Sequence, residues 1–558
     1  MSKITFSHNF LWVNFRRNFT FLLGICLSIF IFNFNSASVF ALYTPTLSAS
    51  VDNTAALVNG NQVINSTDKT TEIPLNLTVN TNNKTGYTAT LNSETDETAL
   101  VNNSSATNAK INSISANLSL NNLPNNTWGY KFGTSTSYAP IPAFSTPAQI
   151  LQTTGKTNGN ESNQLSIGMK LSDNLESGRY TNKLIFSILT NNYDRIAIMT
   201  EGPDFNAKLK ALETATNKIE HFKKSTVAPT ASMNVVNIED EESDDEIKLW
   251  LDPTDKTAYY YAETEKVYLN ANTSDMFDRM TNLATLDLSN FDTSKVTNMR
   301  FMFSDMSNLT TLNLSNFDTS NVTNMGAMFR GVSNLTTLNL SNFDTSKVTN
   351  MSSMFFHASN LTTLNLSNFD TSKVMYMNSM FSNMYNLTAL NLSSFDTSNV
   401  IGMGYMFSNM YNLTALNLSS FDTSKVTNMS GMFSGMSNLT TIDLSNFNTS
   451  QVTAMNHMFY DMSNLITLNL SNFDTSKVTN LSFMFYLPDE NKSKDKLEKI
   501  YVNNDFNTSH LTDFSNMFRN RKKLRGGNGS YLSNPATADK TWLRVDRPGV
   551  QGYFTRKS

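Results

Sequence analysis

The sequence contains few of the residues from which catalytic and metal-binding sites are usually built. It has one cysteine, Cys26, among 558 residues, which excludes an intramolecular disulfide and a cysteine-based metal cluster. The five histidines are too far apart to share the spacing of a metal-binding motif: His8, His221, His357, His457 and His510. We find no phosphate-binding glycine loop, dinucleotide fingerprint or nucleophile elbow. We therefore expect no enzymatic activity, no metal and no cofactor.

Charge is also scarce. Charged residues make up 16% of the chain, and the formal net charge is -4. A protein that binds nucleic acid needs a basic surface to neutralise phosphates, so we expect no nucleic acid partner. Asparagine, serine and threonine are abundant instead, a composition common among exported envelope proteins.

The one long hydrophobic run lies near the N-terminus. Arg16 and Arg17 precede an uncharged apolar stretch from Phe19 to Phe32, and Ala41 ends a small-residue cleavage motif. This order is typical of a signal peptide, which we assign to residues 1–41. The run is shorter than the ~20 residues of a membrane-spanning helix. We expect cleavage and a secreted or cell-surface location; in the alternative, the uncleaved segment is the only contact with a membrane.

Residues 42–192 have the pattern of an all-β sandwich domain. Apolar and polar residues alternate from Ile73 to Val79, from Leu165 to Leu171 and again near Phe186, and turn-forming residues separate these segments. Trp128, Tyr130 and Phe132 also alternate with other residues. We interpret them as core residues; the alternative is an aromatic platform for a glycan.

Residues 193–247 interrupt the strand pattern and are interpreted as a helical and acidic linker. Residues 206–224 have the composition of a polar helix, and seven of the eight residues from Glu239 to Glu246 are acidic. A calcium loop is one interpretation, but the run lacks the central glycine of an EF-hand. A solvated, self-repelling linker is the interpretation that we adopt.

The C-terminal half is dominated by an internal repeat. The segment Asn-Leu-Thr-Thr-Leu-Asn-Leu-Ser-Asn-Phe-Asp-Thr-Ser recurs with few changes every 26 residues, and a degenerate ninth copy follows. A single unit of this size cannot bury its own apolar residues, so neighbouring units must stack. We expect the repeated phenylalanine to point into the shared core, at Phe291, Phe317, Phe343, Phe369, Phe395, Phe421, Phe447 and Phe473.

Each repeat is predicted to contain one strand and one helix. Residues 311–315 alternate in polarity, as a strand does. Val322, Met325, Met328 and Phe329 then follow at the steps of three and four residues that mark one face of an amphipathic helix. The polar Asp-Thr-Ser triplet between the two segments suits a helix cap.

The repeat resembles the BspA-type leucine-rich repeat of bacterial surface proteins, through the pattern L-x-x-L-x-L-S-x-F-D-T-S-x-V-T-x-M-x-x-M-F. The resemblance implies an α/β leucine-rich-repeat solenoid with 26-residue repeats, preceded here by the β-sandwich domain. Its N-terminal cap corresponds to residues 248–282, the repeats to 283–526 and the C-terminal cap to 527–558. Phenylalanine occupies the position where leucine-rich repeats usually have asparagine, so an asparagine ladder of the usual kind is not predicted.

A column of aspartates accompanies the repeats and has two interpretations. Stacked carboxylates repel one another, and a bound calcium ion would relieve that repulsion. The same side chains suit the capping of the following turn, the interpretation that we adopt. The column comprises Asp292, Asp318, Asp344, Asp370, Asp396, Asp422 and Asp474.

The outward positions of the predicted strands form uncharged columns of threonine and asparagine. Leucine-rich solenoids commonly bind ligands through such a face, whereas the alternative is that these residues only keep the strands soluble. The candidate ligand-binding residues are Thr337, Asn339, Thr363, Asn365, Asn391 and Asn417. The resemblance implies an adhesion protein whose partner is a protein or glycan on another cell, host or microbial. A structural spacer or coat component of the cell envelope is the alternative.

Overall fold

The fold is taken from a computed structural model that describes residues 3–5, 46–52, 57–59 and 69–557. The predicted signal peptide, residues 1–41, lies outside the described residues except for the short segment 3–5, so its role stays a prediction. In the described part of the chain, no helix has both the length and the apolar character needed to cross a membrane. The chain forms two compact units, Met1–Asp194 and Arg195–Ser558.

The described part of unit 1 consists of strands and one short 3-10 helix, Leu120–Asn122. A long sheet has the order β2-β4-β10-β8-β7-β6-β11-β1-β3, and a second sheet has the order β12-β5-β9. The strands are β1 (Lys3–Thr5), β2 (Leu47–Val51), β3 (Leu57–Asn59), β4 (Thr70–Thr81), β5 (Tyr87–Ser93), β6 (Leu100–Asn102), β7 (Lys110–Ser113), β8 (Thr127–Phe132), β9 (Ala148–Gln152), β10 (Glu161–Lys170), β11 (Arg179–Thr181) and β12 (Leu184–Thr190).

The alternating segments of unit 1 lie in strands that share one core. Leu77 and Val79 of β4 and Leu165 of β10 are almost completely buried there. Trp128 is also fully buried, and its indole N–H donates to the carbonyl oxygen of Thr98 at 3.0 Å. Trp128 is therefore a core residue and not part of an exposed aromatic platform.

Unit 2 contains one α-helix among its described residues, α1 (Gly202–Ala211). Its sheets have the orders β13-β18-β20, β15-β16-β17-β14-β19 and β21-β22-β23. The strands are β13 (Ala197–Ile198), β14 (His221–Lys224), β15 (Val236–Asn237), β16 (Lys248–Asp252), β17 (Thr257–Tyr261), β18 (Val267–Tyr268), β19 (Thr285–Leu286), β20 (Phe291–Asp292), β21 (Thr467–Asn469), β22 (Lys499–Val502) and β23 (Phe554–Arg556). Short 3-10 helices lie at Asp489–Lys494, Pro535–Thr537 and Lys540–Trp542.

Residues 195–247, which fall in the predicted linker, are part of folded unit 2. Strand β14 pairs with both β17 and β19. Asp244 and Asp245 are only 3% and 2% exposed. The carboxylate of Asp244 accepts from the Ile196 amide at 3.0 Å, and Asp245 pairs with Arg195. Specific partners therefore hold the buried part of the acidic run. The solvated, self-repelling segment that we expected from the sequence is not found at these two aspartates.

The prediction of an α/β solenoid with a helix in every repeat is wrong. The repeats form a stack of coils built from turns, and the segment that has helical spacing in the sequence contains no helix in any described repeat. Ala327 and Gly331 have φ values of 54° and 68°, and equivalent residues of most other repeats also have positive φ. Such residues interrupt a right-handed helix. The amide of Met328 donates to the carbonyl of Met325 at 3.2 Å, and together with the positive φ of Ala327 this indicates a type II turn.

Hydrogen bonds between successive coils replace those of a helix. The amides of Met325, Ala327 and Phe329 donate to carbonyl oxygens of the next coil at 3.0, 2.8 and 3.0 Å. The intervening Met328 and Arg330 donate to residues three positions earlier in their own coil. Hydrogen bonds that close a turn within one coil therefore alternate along the chain with hydrogen bonds to the next coil. Each coil needs its neighbour to satisfy its backbone amides.

Phenylalanine rings form a continuous spine inside the stack. The rings of Phe355, Phe381 and Phe407 stack with centroids 5.9 Å apart at each step. The column expected from the sequence lies beside this spine: Phe395 is 2% exposed, and its ring lies 6.3 Å from that of Phe381. The inward placement of the expected column is confirmed, but the stacked spine consists of the second phenylalanine of each repeat.

Strands cover the two ends of the coil stack. At the first coil, β14 pairs in parallel with β19. At the last, β22 pairs in parallel with β21 on one side and with β23 on the other. Arg521, fully buried nearby, donates to Asp495 at 3.2 Å. The ends of the stack are thus closed by structure that is not part of the regular repeat.

We predict that Phe381→Ala destabilises unit 2 by roughly 3–5 kcal/mol, because it leaves a cavity between two stacked rings. Tyr411→Ala is the control, since Tyr411 is 41% exposed, and we expect it to cost about 1 kcal/mol or less. Urea unfolding followed by circular dichroism measures both. Equal stabilities of the two variants would contradict the placement of the Phe381 ring in a buried, stacked spine.

Candidate functional site

The candidate residues lie on a short exposed segment of each coil, which we call a rung. The rungs are residues 311–313, 337–339, 363–365 and 389–391, with sequence Thr-Leu-Asn or, in the last, Ala-Leu-Asn. All six predicted ligand-binding residues are exposed, including Asn417, which belongs to the next coil. The outward direction expected from the alternating pattern is therefore present, although these segments are not regular strands.

Backbone pairing between coils stops at the rungs. Among the described residues, those of the four rungs form no backbone–backbone hydrogen bonds, in contrast to the turn segments. Side chains span the gap beside them: the amide Nδ2 of Asn342 donates to the carbonyl oxygens of Leu314 and Phe317 at 3.0 and 2.8 Å. Equivalent asparagines at 316, 368, 446 and 472 do the same. An asparagine ladder is thus present, formed by the residue before the phenylalanine.

Buried threonines form a second side-chain ladder next to the asparagines. Thr319 is 1% exposed, and its hydroxyl donates to the carbonyl of Asp344 at 2.9 Å while accepting from the Asp344 amide at 2.8 Å. The hydroxyl of Thr319 thus links two coils at this position, whereas the turn segments are linked by direct backbone–backbone hydrogen bonds. Contacts between coils on the rung side are therefore made through side chains.

The rungs line a groove with a volume of about 620 Å³. Five of the six predicted residues line it, namely Thr337, Asn339, Thr363, Asn365 and Asn391. Asn417 does not. Only the threonine and asparagine columns were predicted to lie on this face, and the leucines between them were not. Leu338 and Leu364 line the groove and retain 8% exposure each.

The asparagines of the rungs present a fixed set of atoms to the groove. Oδ1 of Asn339 accepts from the Ser341 amide at 3.1 Å, and Asn365 and Asn391 make the same contact with Ser367 and Ser393. This is an Asx turn, which orients the side chain. Since Oδ1 is occupied, Nδ2 is the group that can donate to a ligand. Asp287 and Asp443 form the same turn in other coils.

The repeated aspartates cap turns, as we expected. Oδ1 of Asp344 accepts from the Ser346 amide at 2.9 Å, and Asp370 accepts from Ser372 at the same distance. Hydrogen bonds from these serines lower the pKa values of both carboxyls. In the described part of the chain no group of three or more His, Cys, Asp or Glu side chains is arranged to hold a metal ion. The capping contacts account for the column without a cation.

The turn side of the stack is irregular and aromatic. Tyr376, Tyr405 and Tyr411 are 40%, 40% and 41% exposed, and Tyr411 stacks on Tyr385 at 5.3 Å. His357 lies edge-on to Tyr385 at 5.7 Å. Residues that differ among repeats are therefore concentrated on this side, whereas the groove is uniform.

Comparison with known proteins supports a repeat architecture in this region. Residues 271–389, 355–441, 377–499 and 434–539 match the family described as "Mycoplasma protein of unknown function, DUF285". The matched region, 271–539, is just under half of the chain and includes all the rungs. The match indicates similarity to a repeat family and does not reach the finer BspA-type leucine-rich assignment. No curated protein and no solved structure matches the chain.

We predict that the stability of the fourfold variant D344N/D370N/D422N/D474N depends less on pH than the stability of the parent protein. The folded-state pKa of each aspartate is lowered, so its stabilisation is present above the unfolded value of about 3.9 and is lost as the pH falls through the folded value. Asn448 occupies this position naturally and accepts from Ser450 at 3.0 Å, so asparagine preserves the cap. Urea midpoints at about pH 7 and about pH 3 test this. If the urea midpoint fell by the same amount in the parent and in the variant between these two pH values, the capping role of the aspartates would be refuted.

Proposed function

We propose that this protein is a non-enzymatic binding protein that attaches to another cell or polymer through the groove on its rungs. The observation that carries the proposal is the repetition of one exposed, uncharged set of side chains over four successive coils. A ligand that contacts several coils gains the same interactions at each of them.

The rigidity of the stack also supports binding. Asx turns orient the asparagines, and the Phe spine and inter-coil hydrogen bonds fix the coils on which they lie. A preformed site pays little ordering entropy when a ligand binds. The groove is therefore suited to recognition without a conformational change.

The cellular location belongs to the same proposal. The N-terminal basic and apolar segment favours export, and the repeat resembles that of BspA-type surface proteins. We infer a secreted or cell-surface protein whose partner is carried by a host or microbial cell. This rests on sequence resemblance and on analogy from fold to role.

A spacer or coat component is the second candidate, favoured by the uniformity of the coil stack. In that case the number of coils matters and the chemistry of the rungs does not. The two candidates differ in how they respond to deletions of equal length.

We predict that deletion of residues 349–400 weakens attachment, whereas deletion of 401–452 does not. Both remove two repeats and preserve the register, since Val348 or Val400 is joined to the residue equivalent to its own neighbour. The first deletion replaces the rungs 363–365 and 389–391 by the equivalent segments 415–417 and 441–443, and so brings the charged Asp443 into the groove. The second deletion leaves all four rungs. Attachment of the full-length protein and both variants to a panel of host and microbial cells is the measurement. Equal effects of the two deletions would favour the spacer and contradict the proposed groove.

A further inference from the structure

We propose that the groove binds a linear, uncharged glycan, with successive sugars lying over successive rungs. The inference rests on the proposed function, since it names the ligand of the same groove.

The charge of the groove excludes ionic polymers. None of its lining residues is charged. A second cavity that shares Leu286 with the groove contains the charged residues Lys223, Asp255 and Asp287. An anionic polymer would require cations along its whole length. The groove therefore suits a neutral chain.

The hydrogen-bonding groups favour a ligand rich in hydroxyls. Each rung offers the Nδ2 donors of an asparagine, and three of the four also offer a threonine hydroxyl. The backbone N–H and C=O groups of the rungs have no backbone partners, so water must satisfy those that are exposed. A sugar hydroxyl both donates and accepts, and it can replace such water at either kind of group.

The floor of the groove suits the apolar faces of sugar rings. Between the threonines and asparagines, Leu312 is partly exposed, and the buried Leu338 and Leu364 retain 8% exposure each. Sugar rings in extended glycans have C–H faces that pack on such surfaces, while their hydroxyls project to the sides. The combination of an apolar floor and polar walls is the usual composition of a ligand site.

The direction of the groove argues against an extended peptide. Peptides that add to a sheet need a free strand edge running parallel to them. Here equivalent residues of successive coils line the groove, so the groove crosses the rungs and offers no such edge. The spine rings below it repeat at 5.8 and 5.9 Å, a distance comparable with the length of one sugar in an extended chain.

The test is a titration of the full-length protein with neutral oligosaccharides, from dimers to octamers, of β-1,4-linked glucose, N-acetylglucosamine and mannose and of α-1,4-linked glucose. We expect affinity to rise with length until the oligomer spans the four rungs and then to level off. The variant N339D/N365D/N391D should weaken binding by at least about tenfold. It replaces the donors by carboxylates but keeps the turns, as Asp287 and Asp443 do.

The matched control is N321D/N399D/Q451E, which adds the same charge away from the groove. These side chains already accept hydrogen bonds from Lys347, Lys425 and Lys477. Stronger pairing with the lysines offsets the loss of the bonds that Asn321 and Asn399 donate to the carbonyls of Ser294 and Ser372, so the variant should fold and bind like the parent. Failure of every neutral series to bind, stronger binding of hyaluronate, or equal loss in both variants would overturn the glycan inference. If N339D/N365D/N391D loses cell attachment while no glycan binds, the proposed function stands and only the ligand class is wrong.

Discussion

The architecture of unit 2 depends on the hydrogen bonds that join each coil to the next. In the turn segment the amides of Ala327 and Phe329 donate to the following coil, while those between them close turns within their own coil. No coil can satisfy its backbone alone, and none can bury its own methionines and phenylalanines. Regularity of sequence is therefore a requirement of the fold: the same donor must meet the same acceptor at every step.

The groove is a consequence of the same constraint on the opposite side of the coil. Side chains of Asn342 and Thr319 take the place of direct backbone bonds there. The rungs beside them make no backbone–backbone hydrogen bonds, and their uncharged side chains face outward. One 26-residue sequence thus specifies a bonded face that provides stability and an open face that is available to a ligand.

Much of this arrangement could be predicted from the sequence, but the helix could not be distinguished from turns. The repeat length, the buried phenylalanines and the outward Thr and Asn columns followed from periodicity. The spacing of Val322, Met325 and Phe329 fits a helix face equally well as it fits stacked turns, because both bring every third or fourth residue inward. The column at Asp305, Gly331, His357, Asn383, Asn409, Gly435 and Asp461 carried the missing signal. These residue types tolerate positive φ and are poor choices for a helix interior.

Scalar couplings across hydrogen bonds, measured by nuclear magnetic resonance, test the alternating ladder most directly. The amide nitrogens of Ala327 and Phe329 should couple to the carbonyl carbons of Ser352 and Met354. Couplings from these nitrogens to carbonyl carbons four residues earlier would instead indicate a helix in each repeat and would contradict the account.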